Sequence, residues 1–240
     1  MGPRERKERE KAERREEIIK AGEKLFLQKG LFSTTMDDIA KDAELSKGTL
    51  YLYFTSKEEL YLTIVLRAVD TMYQMMSNAV HDAGTDDVIE RLRAFGNGHA
   101  LFCRTYPDYF HILTVEPVSH DHFMKENLME LGLEINNRVN GIWKISTDII
   151  EDGMRSGLFR ENTEPMEVAI SLWANSTMML KMKEHMESHR QLAEKAQSRL
   201  DELGSFNMYD VLDFDKIIRR NAQRIIISIM KNPPENFEYV

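Results

Sequence analysis

The sequence predicts an all-α protein, and three observations carry this. Nearly every segment of the 240 residues repeats its apolar positions three and four apart, and none alternates as a half-buried strand does. Gly (12) and Pro (6) are scarce, which argues against turn-rich β architectures and low-complexity chains. Met is abundant, at 15, and suits helices and adaptable apolar surfaces. The composition also excludes classes. At 42% hydrophobic the chain has enough apolar surface to fold, and its single cysteine, Cys103, leaves no disulfide framework and no four-cysteine zinc site.

The first expected helix covers 4–29, charged at its start and amphipathic later, with Ile18, Ile19, Gly22, Leu25 and Phe26 on one side. Glu5/Arg9, Glu10/Arg14 and Glu16/Lys20 are spaced to support it as ion pairs. Gly30 ends it. Thr35 is placed to cap a helix over 36–43, with Asp38 completing a near capping box. Ser46 is placed to cap a helix over 47–53. Ser56-Lys57-Glu58-Glu59 fits S-x-x-E and opens a long helix to about His81. Further helices are expected near 86–104, 107–116, 121–155, 164–187, 188–203 and 213–231. The breaks fall at Gly84, Pro107, Pro117, Gly157 to Asn162 and Gly204 to Asn207.

No linker rich in Gly, Ser or Pro divides the chain, so any domain boundary must lie within the helix that starts at Lys57. The expected division is between residues 1–60 and residues 61–240.

The informative stretch is 34–54. Ile39, Ala40, Ala43, Leu45, Leu50 and Phe54 can pack between two short capped helices joined by a tight turn, which is what a helix-turn-helix needs. The second helix then presents Lys47, Thr49, Tyr51 and Tyr53 on its other side. A recognition helix sets its first residues against base edges and its flanks on phosphates, and amines and hydroxyls serve both. Gly48 removes a side chain where backbone must approach DNA.

With Ile18-Ile19-Lys20-Ala21, Leu25-Phe26 and Gly30 before it, and Lys57-Glu58-Glu59-Leu60 after it, this stretch resembles the TetR family of helix-turn-helix transcriptional regulators. A weaker echo is Gly153-Met154-Arg155-Ser156-Gly157-Leu158-Phe159. The resemblance implies that Thr35 contacts phosphate. It implies that Lys47, Gly48, Thr49 and Tyr51 lie in the major groove and that Tyr53 and Lys57 touch flanking phosphates. Ser46 caps the recognition helix and is also placed for phosphate. The chain departs from the family at Glu44, where Gly is usual; a left-handed Glu44 costs about 1–2 kcal/mol. Asp37, Asp38 and Asp42 make the first helix of the pair acidic, so readout falls to the second. Upstream, Arg4 to Arg15 mix seven cations with four glutamates, which suits either an extension of the first helix along DNA or a solvated charged arm.

In the C-terminal part, 164–186 is apolar on nearly all sides, with Val168, Leu172, Met179 and Met182 in one stripe and Ile170, Trp173, Thr177 and Leu180 in another. The last helix carries Ile218, Ala222, Ile225 and Ile229, widened by Ile226, Ile227 and Met230. Two helices that need partners on both sides suggest a homodimer interface near 164–186 and 213–231. The resemblance implies the same, and two recognition helices about 34–36 Å apart, or a multiple, would meet a palindromic operator on double-stranded DNA. Family members often enclose a small-molecule pocket. Phe102, Tyr106, Phe110, His111, Trp143, Trp173 and Thr177 are candidate lining for an apolar or amphipathic effector.

Other signals are discounted. His120-x-His122 and the His185/His189 pair lack further ligands, so no metal or other cofactor is expected. Gly96-x-Gly98 lacks a third glycine and a preceding strand, Ser228-x-x-Lys231 lies in the proposed dimer helix, and Cys103 and His111 do not make a nucleophile–base pair. No signal peptide, lipidation motif or membrane span is evident, so a cytoplasmic protein is expected. The leading expectation is a sequence-specific repressor, not an enzyme, released by its effector. The alternatives are a factor of the same fold controlled by a protein partner and an all-α enzyme or adaptor. The formal net charge of −8 argues against nucleic acid only on average. Residues 1–60 balance 13 Lys plus Arg against 13 Asp plus Glu, so the excess acid lies beyond residue 60.

Overall fold

A computed structural model describes residues 2–115, 128–195 and 213–235, except the side chains of Pro3, Val115 and 188–195. The break at Pro117, the start of the helix expected from 121, His120, His122, the side chain of His189, and the break at Gly204 to Asn207 lie outside what is described.

Among the described residues nine helices form and no strand does. They are α1 (Pro3–Ser33), α2 (Met36–Asp42), α3 (Lys47–Tyr51), α4 (Lys57–Asp82), α5 (Val88–Thr105), α6 (Pro107–Val115), α7 (Met129–Arg155), α8 (Pro165–Lys195) and α9 (Phe214–Ile229). Proline opens α1, α6 and α8, where its missing N–H costs nothing and its fixed φ is already helical. Gly84 and Gly157 take positive φ just beyond α4 and α7. Gly30, at φ 76°, interrupts α1 before its last turn.

One expectation fails. The break between 187 and 188 is absent, and α8 runs unbroken from Pro165 to Lys195. After Pro165 that stretch holds no Gly or Pro, and Ser188 alone does not stop a helix. The arm at 4–15 is an extension of the first helix.

The chain forms two compact units. One comprises Met1–Gln74 with Phe102–Gly141, and the other Met75–Leu101 with Ile142–Val240. In the first, Ile18, Ile19, Leu25 and Phe26 of α1 are buried with Ile39, Leu50, Phe54, Leu60 and Ile64. The ring of Phe26 meets Tyr61 edge-on at 5.2 Å. In the second, Val88, Leu92, Ile149, Ile150, Phe159, Val168, Ala169, Ile226 and Met230 form one apolar core. Phe159 folds back over Gly153, where a β-carbon would lie 2.3 Å from its ring, and its N–H reaches the Gly153 carbonyl (2.9 Å). The segment after α7 then pairs with the end of α9 through Arg160 N–H to Ile229 O (2.9 Å) and Lys231 N–H to Leu158 O (3.0 Å). The Gly153–Phe159 motif is thus a helix stop that fastens the last helix.

Candidate nucleic-acid interface

The first unit builds its exposed site from local hydrogen bonds. Thr35 Oγ1 accepts the Asp38 N–H (3.1 Å), and the Asp38 carboxylate accepts the Thr35 N–H (3.1 Å), closing a capping box. The Thr35 hydroxyl also donates to that carboxylate (2.9 Å), and this bond and the one from the Thr35 N–H, ahead of burial, hold the Asp38 pKa below the ordinary carboxylate value. α2 ends in a Schellman turn, with Glu44 N–H on Lys41 O (3.2 Å) and Leu45 N–H on Ala40 O (2.8 Å). Glu44 takes the left-handed position at φ 54°. Ser46 Oγ then caps α3 by accepting the Thr49 N–H (3.1 Å), and it shares a hydrogen bond with the Thr49 hydroxyl (2.8 Å).

This local chemistry leaves one face of α3 outside the core. Leu50 points inward and is fully buried. Lys47, Gly48, Tyr51 and Leu52 are exposed, and Thr49 and Tyr53 are half-buried. α3 stops at Tyr51, so Tyr53 lies just past the helix rather than on it. A β-carbon on Gly48 would meet only Ser46 Oγ, at 3.9 Å, so nothing inside the protein requires glycine there. Leu52, with 79% of its surface exposed, is an apolar side chain on this face that sequence reasoning passed over.

Both lysines of the expected DNA-contact set have partners within the chain. Lys57 Nζ donates to Leu31 O (2.8 Å), Phe32 O (3.1 Å) and Thr34 O (2.9 Å). It binds the start of α4 to the chain end of α1, and all three of its protons are used. Lys47 Nζ lies 2.8 Å from Asp37 Oδ1 of α2, and that carboxylate raises the lysine pKa.

Ser56 caps α4 as its motif predicts, accepting the Glu59 N–H (3.1 Å). Glu59 reaches one residue further back than a capping box requires, accepting from the N–H and hydroxyl of Thr55 (2.7 and 2.6 Å). Along α1 the ion pairs run Arg4–Glu8, Arg6–Glu10, Arg9–Glu13 and Arg14–Glu17, with the cation first. Glu16 pairs with Arg67 of α4 in two bonds (2.8 and 2.7 Å) instead of with Lys20. The Arg15 guanidinium lies 4.8 Å from the centre of the Phe54 ring. Tyr109 of α6 donates to Glu23 of α1 (3.2 Å). Burial raises the Glu23 pKa, and the Tyr109 hydrogen bond opposes it.

The candidate effector residues fall in both units. In the first, Phe102 and Phe110 are buried, His111 is half-buried and Tyr106 is 40% exposed. Tyr106 lies 6.1 Å from Phe102 and stacks on Tyr109 at 5.6 Å between ring centres. In the second, Trp143 and Trp173 meet edge-to-face at 5.8 Å. Thr177, a turn beyond Trp173, has a buried hydroxyl with no hydrogen-bond partner. Ser176 Oγ lies 3.3 Å from Nδ1 of His99, a buried histidine the sequence did not single out. Burial pushes the His99 imidazole down to about 4. Among the described residues no three His, Cys, Asp or Glu side chains gather as a metal site, and no helix is long and apolar enough to cross a membrane.

Known proteins match these features. Residues 18–64 match the family described as bacterial regulatory proteins, tetR family. The HTH-type transcriptional regulator YhgD of Bacillus subtilis is 30% identical over 149 residues, covering 62% of this chain and 73% of that protein. The HTH-type transcriptional activator FasR of Mycolicibacterium smegmatis is 39% identical over 82 residues, covering 34% of this chain and 36% of that one. The chain spans about a third or less of the length of several curated relatives it matches. The fatty acid degradation regulator FadR from Bacillus halodurans shares the fold, with a TM-score of 0.59 at 16% identity, over 94% of this chain and 96% of that one. The chain belongs to the TetR family of helix-turn-helix regulators.

Proposed function

We propose that the chain is a homodimeric, effector-controlled transcriptional repressor. Residues 1–60 bind double-stranded DNA, and residues 61–240 bind the effector and dimerise. Thr35 and Ser46 meet phosphate, Lys47, Gly48, Thr49 and Tyr51 enter the major groove, and Tyr53 flanks them. Lys57 contributes by holding the end of α1 in place, since its three protons already serve backbone carbonyls. The observation that carries the reading is Gly48. It is exposed on the outer face of α3, with open space where a side chain would go.

Dimerisation is supported by Met166, Ile170, Trp173, Met178 and Met182, all exposed along α8. An apolar row of that length on one helix marks an interaction surface. For the effector, Phe102, Tyr106 and Phe110 with the polar tip of His111 in the first unit, and Trp143 and Trp173 with the polar tip of Thr177 in the second, are each a set that suits an apolar or amphipathic molecule. The neighbour named for fatty acid degradation makes fatty acyl compounds the first class to test. An effector that prefers the conformation unable to meet both half-sites lowers operator affinity by its differential binding energy. Loss of a hundredfold in affinity requires about 2.7 kcal/mol of that preference.

The test is selection of duplexes from a random-sequence library by the purified chain, followed by footprinting. A palindromic consensus protected in two half-sites is expected. Failure to enrich any sequence rejects the proposal.

A further inference from the structure

We propose that Asp37 is a specificity-determining positioning residue: it holds the Lys47 ammonium so that the recognition helix's one cation reads a base edge instead of clamping phosphate. This rests on the DNA-binding reading above. Each aspartate of α2 has taken a lysine: Asp37 pairs with Lys47 of α3, Asp38 with Lys29 and Asp42 with Lys24. The last two pairs tie α2 back to α1. Only the Asp37 pair joins α2 to α3, and Lys47 is the sole charged residue of that helix.

The geometry separates two ways a lysine can serve on DNA. Lys47 is 58% and Asp37 67% exposed at the side chain, so both face water. Asp37 lies two residues beyond Thr35, which caps the same helix and is assigned to phosphate. A bare carboxylate there would repel phosphate, and a bare lysine on a flexible stem would settle on any phosphate within reach. Paired, the two approach the duplex with no net charge and release no counterion. An ammonium carries three donors. With one on Asp37 Oδ1, it keeps others to give the O6 and N7 acceptors of a guanine, the base edge that lysine reads in the major groove. The carboxylate engages one proton of the exposed ammonium and leaves two for the duplex, so affinity comes where an acceptor is in place.

The experiment uses the full chain and the duplex it selects from the random library, beside a scrambled duplex. Asp37→Asn, Asp37→Glu, Lys47→Met and the Asp37→Asn/Lys47→Met double variant are titrated over a range of salt. Asp37→Asn is expected to bind the scrambled duplex more tightly and to lose part of its preference for the selected one. Its salt dependence should steepen by about 0.9 per protomer, one added phosphate contact. Asp37→Glu should restore the wild-type slope, and once Lys47 is Met, Asp37→Asn should give only the smaller gain of removing a bare carboxylate, with no change in preference between the two duplexes. An equal gain in the Lys47→Met background would mean that Asp37 only repels phosphate, and it overturns the proposal. So does an unchanged slope and preference in Asp37→Asn. Asp42→Asn, which touches Lys24 and not Lys47, reports what removal of one acidic charge from α2 does by itself. If the wild-type chain selects no duplex, the DNA reading itself fails, which is a different result.

Discussion

Gly48 and Glu44 sit four residues apart and carry opposite costs. Gly48 has room for a methyl group, so Gly48→Ala should leave the melting temperature unchanged or raise it, with up to about 1 kcal/mol gained from helix propensity. On the proposed DNA reading the same methyl group would stand where DNA backbone or a base edge comes close, and operator affinity should fall at least about tenfold, or about 1.4 kcal/mol. Stability by thermal melt and affinity by fluorescence anisotropy should therefore separate. If both fall together, Gly48 is a folding residue and its assignment to the groove fails. Glu44 is the reverse. It occupies the left-handed position of the Schellman turn, where an L side chain costs about 1–2 kcal/mol. Glu44→Gly removes that strain and adds about 0.5–1 kcal/mol of unfolded-chain entropy, so a net gain of up to about 1 kcal/mol is expected in urea melts. Glu44→Val, β-branched at positive φ, should lose stability.

Whole elements were legible in the sequence where the signal was local. Thr35 with Asp38, Ser46 with Thr49, and Gly157 at the end of α7 all act across a few residues, and each can be read before the fold is known. The partners of Lys57, Arg67 and Tyr109 could not be read, because the fold brings together residues 26, 51 and 86 positions apart. Along α1 repeated Arg and Glu offer several ion-pair registers at the same spacing, and sequence alone does not choose among them. Leu52 escaped notice for a different reason. An apolar residue inside a helical motif reads as core, although Leu52 lies two positions after the buried Leu50 and so falls on the opposite side.

His99 of α5 gives a prediction at this scale, because it packs its ring nitrogen against Ser176 of α8. Its imidazole is buried and titrates near 4, below the ordinary value of 6.5. Between those values the unfolded chain takes up a proton that the folded chain refuses. Stability is therefore full above pH 6.5 and is lost as pH falls towards 4, by about 2 kcal/mol at pH 5. His99→Gln should be less stable at pH 8 and should lose this part of the pH dependence. Urea melts at pH 8 and pH 5 that show the same decrement in wild type and variant would remove His99 as its cause.

The molecule as a whole must explain why α8 carries apolar residues around most of its circumference. Val168, Ala169, Leu180 and Met186 are buried, and Ile226 of α9 and Met230 just beyond it belong to the same core as Val168 and Ala169. That burial accounts for one side of α8. Met166, Ile170, Trp173, Met178 and Met182 stay exposed on the single chain, although covering a side chain of this size gains about 1.5–3 kcal/mol. A second copy of the chain is the partner the proposed function requires, because a single recognition helix meets only one half-site. Ile170→Glu and Met178→Glu, placed on the exposed side, should leave the monomer folded, since neither residue belongs to the core. Each should shift the dimer to monomer in light scattering, and each should lose cooperative protection of two half-sites while keeping weak, salt-sensitive contact with DNA. A variant that stays dimeric with both charges in place would move the interface away from α8. One that unfolds would show that these side chains are held by the chain's own core.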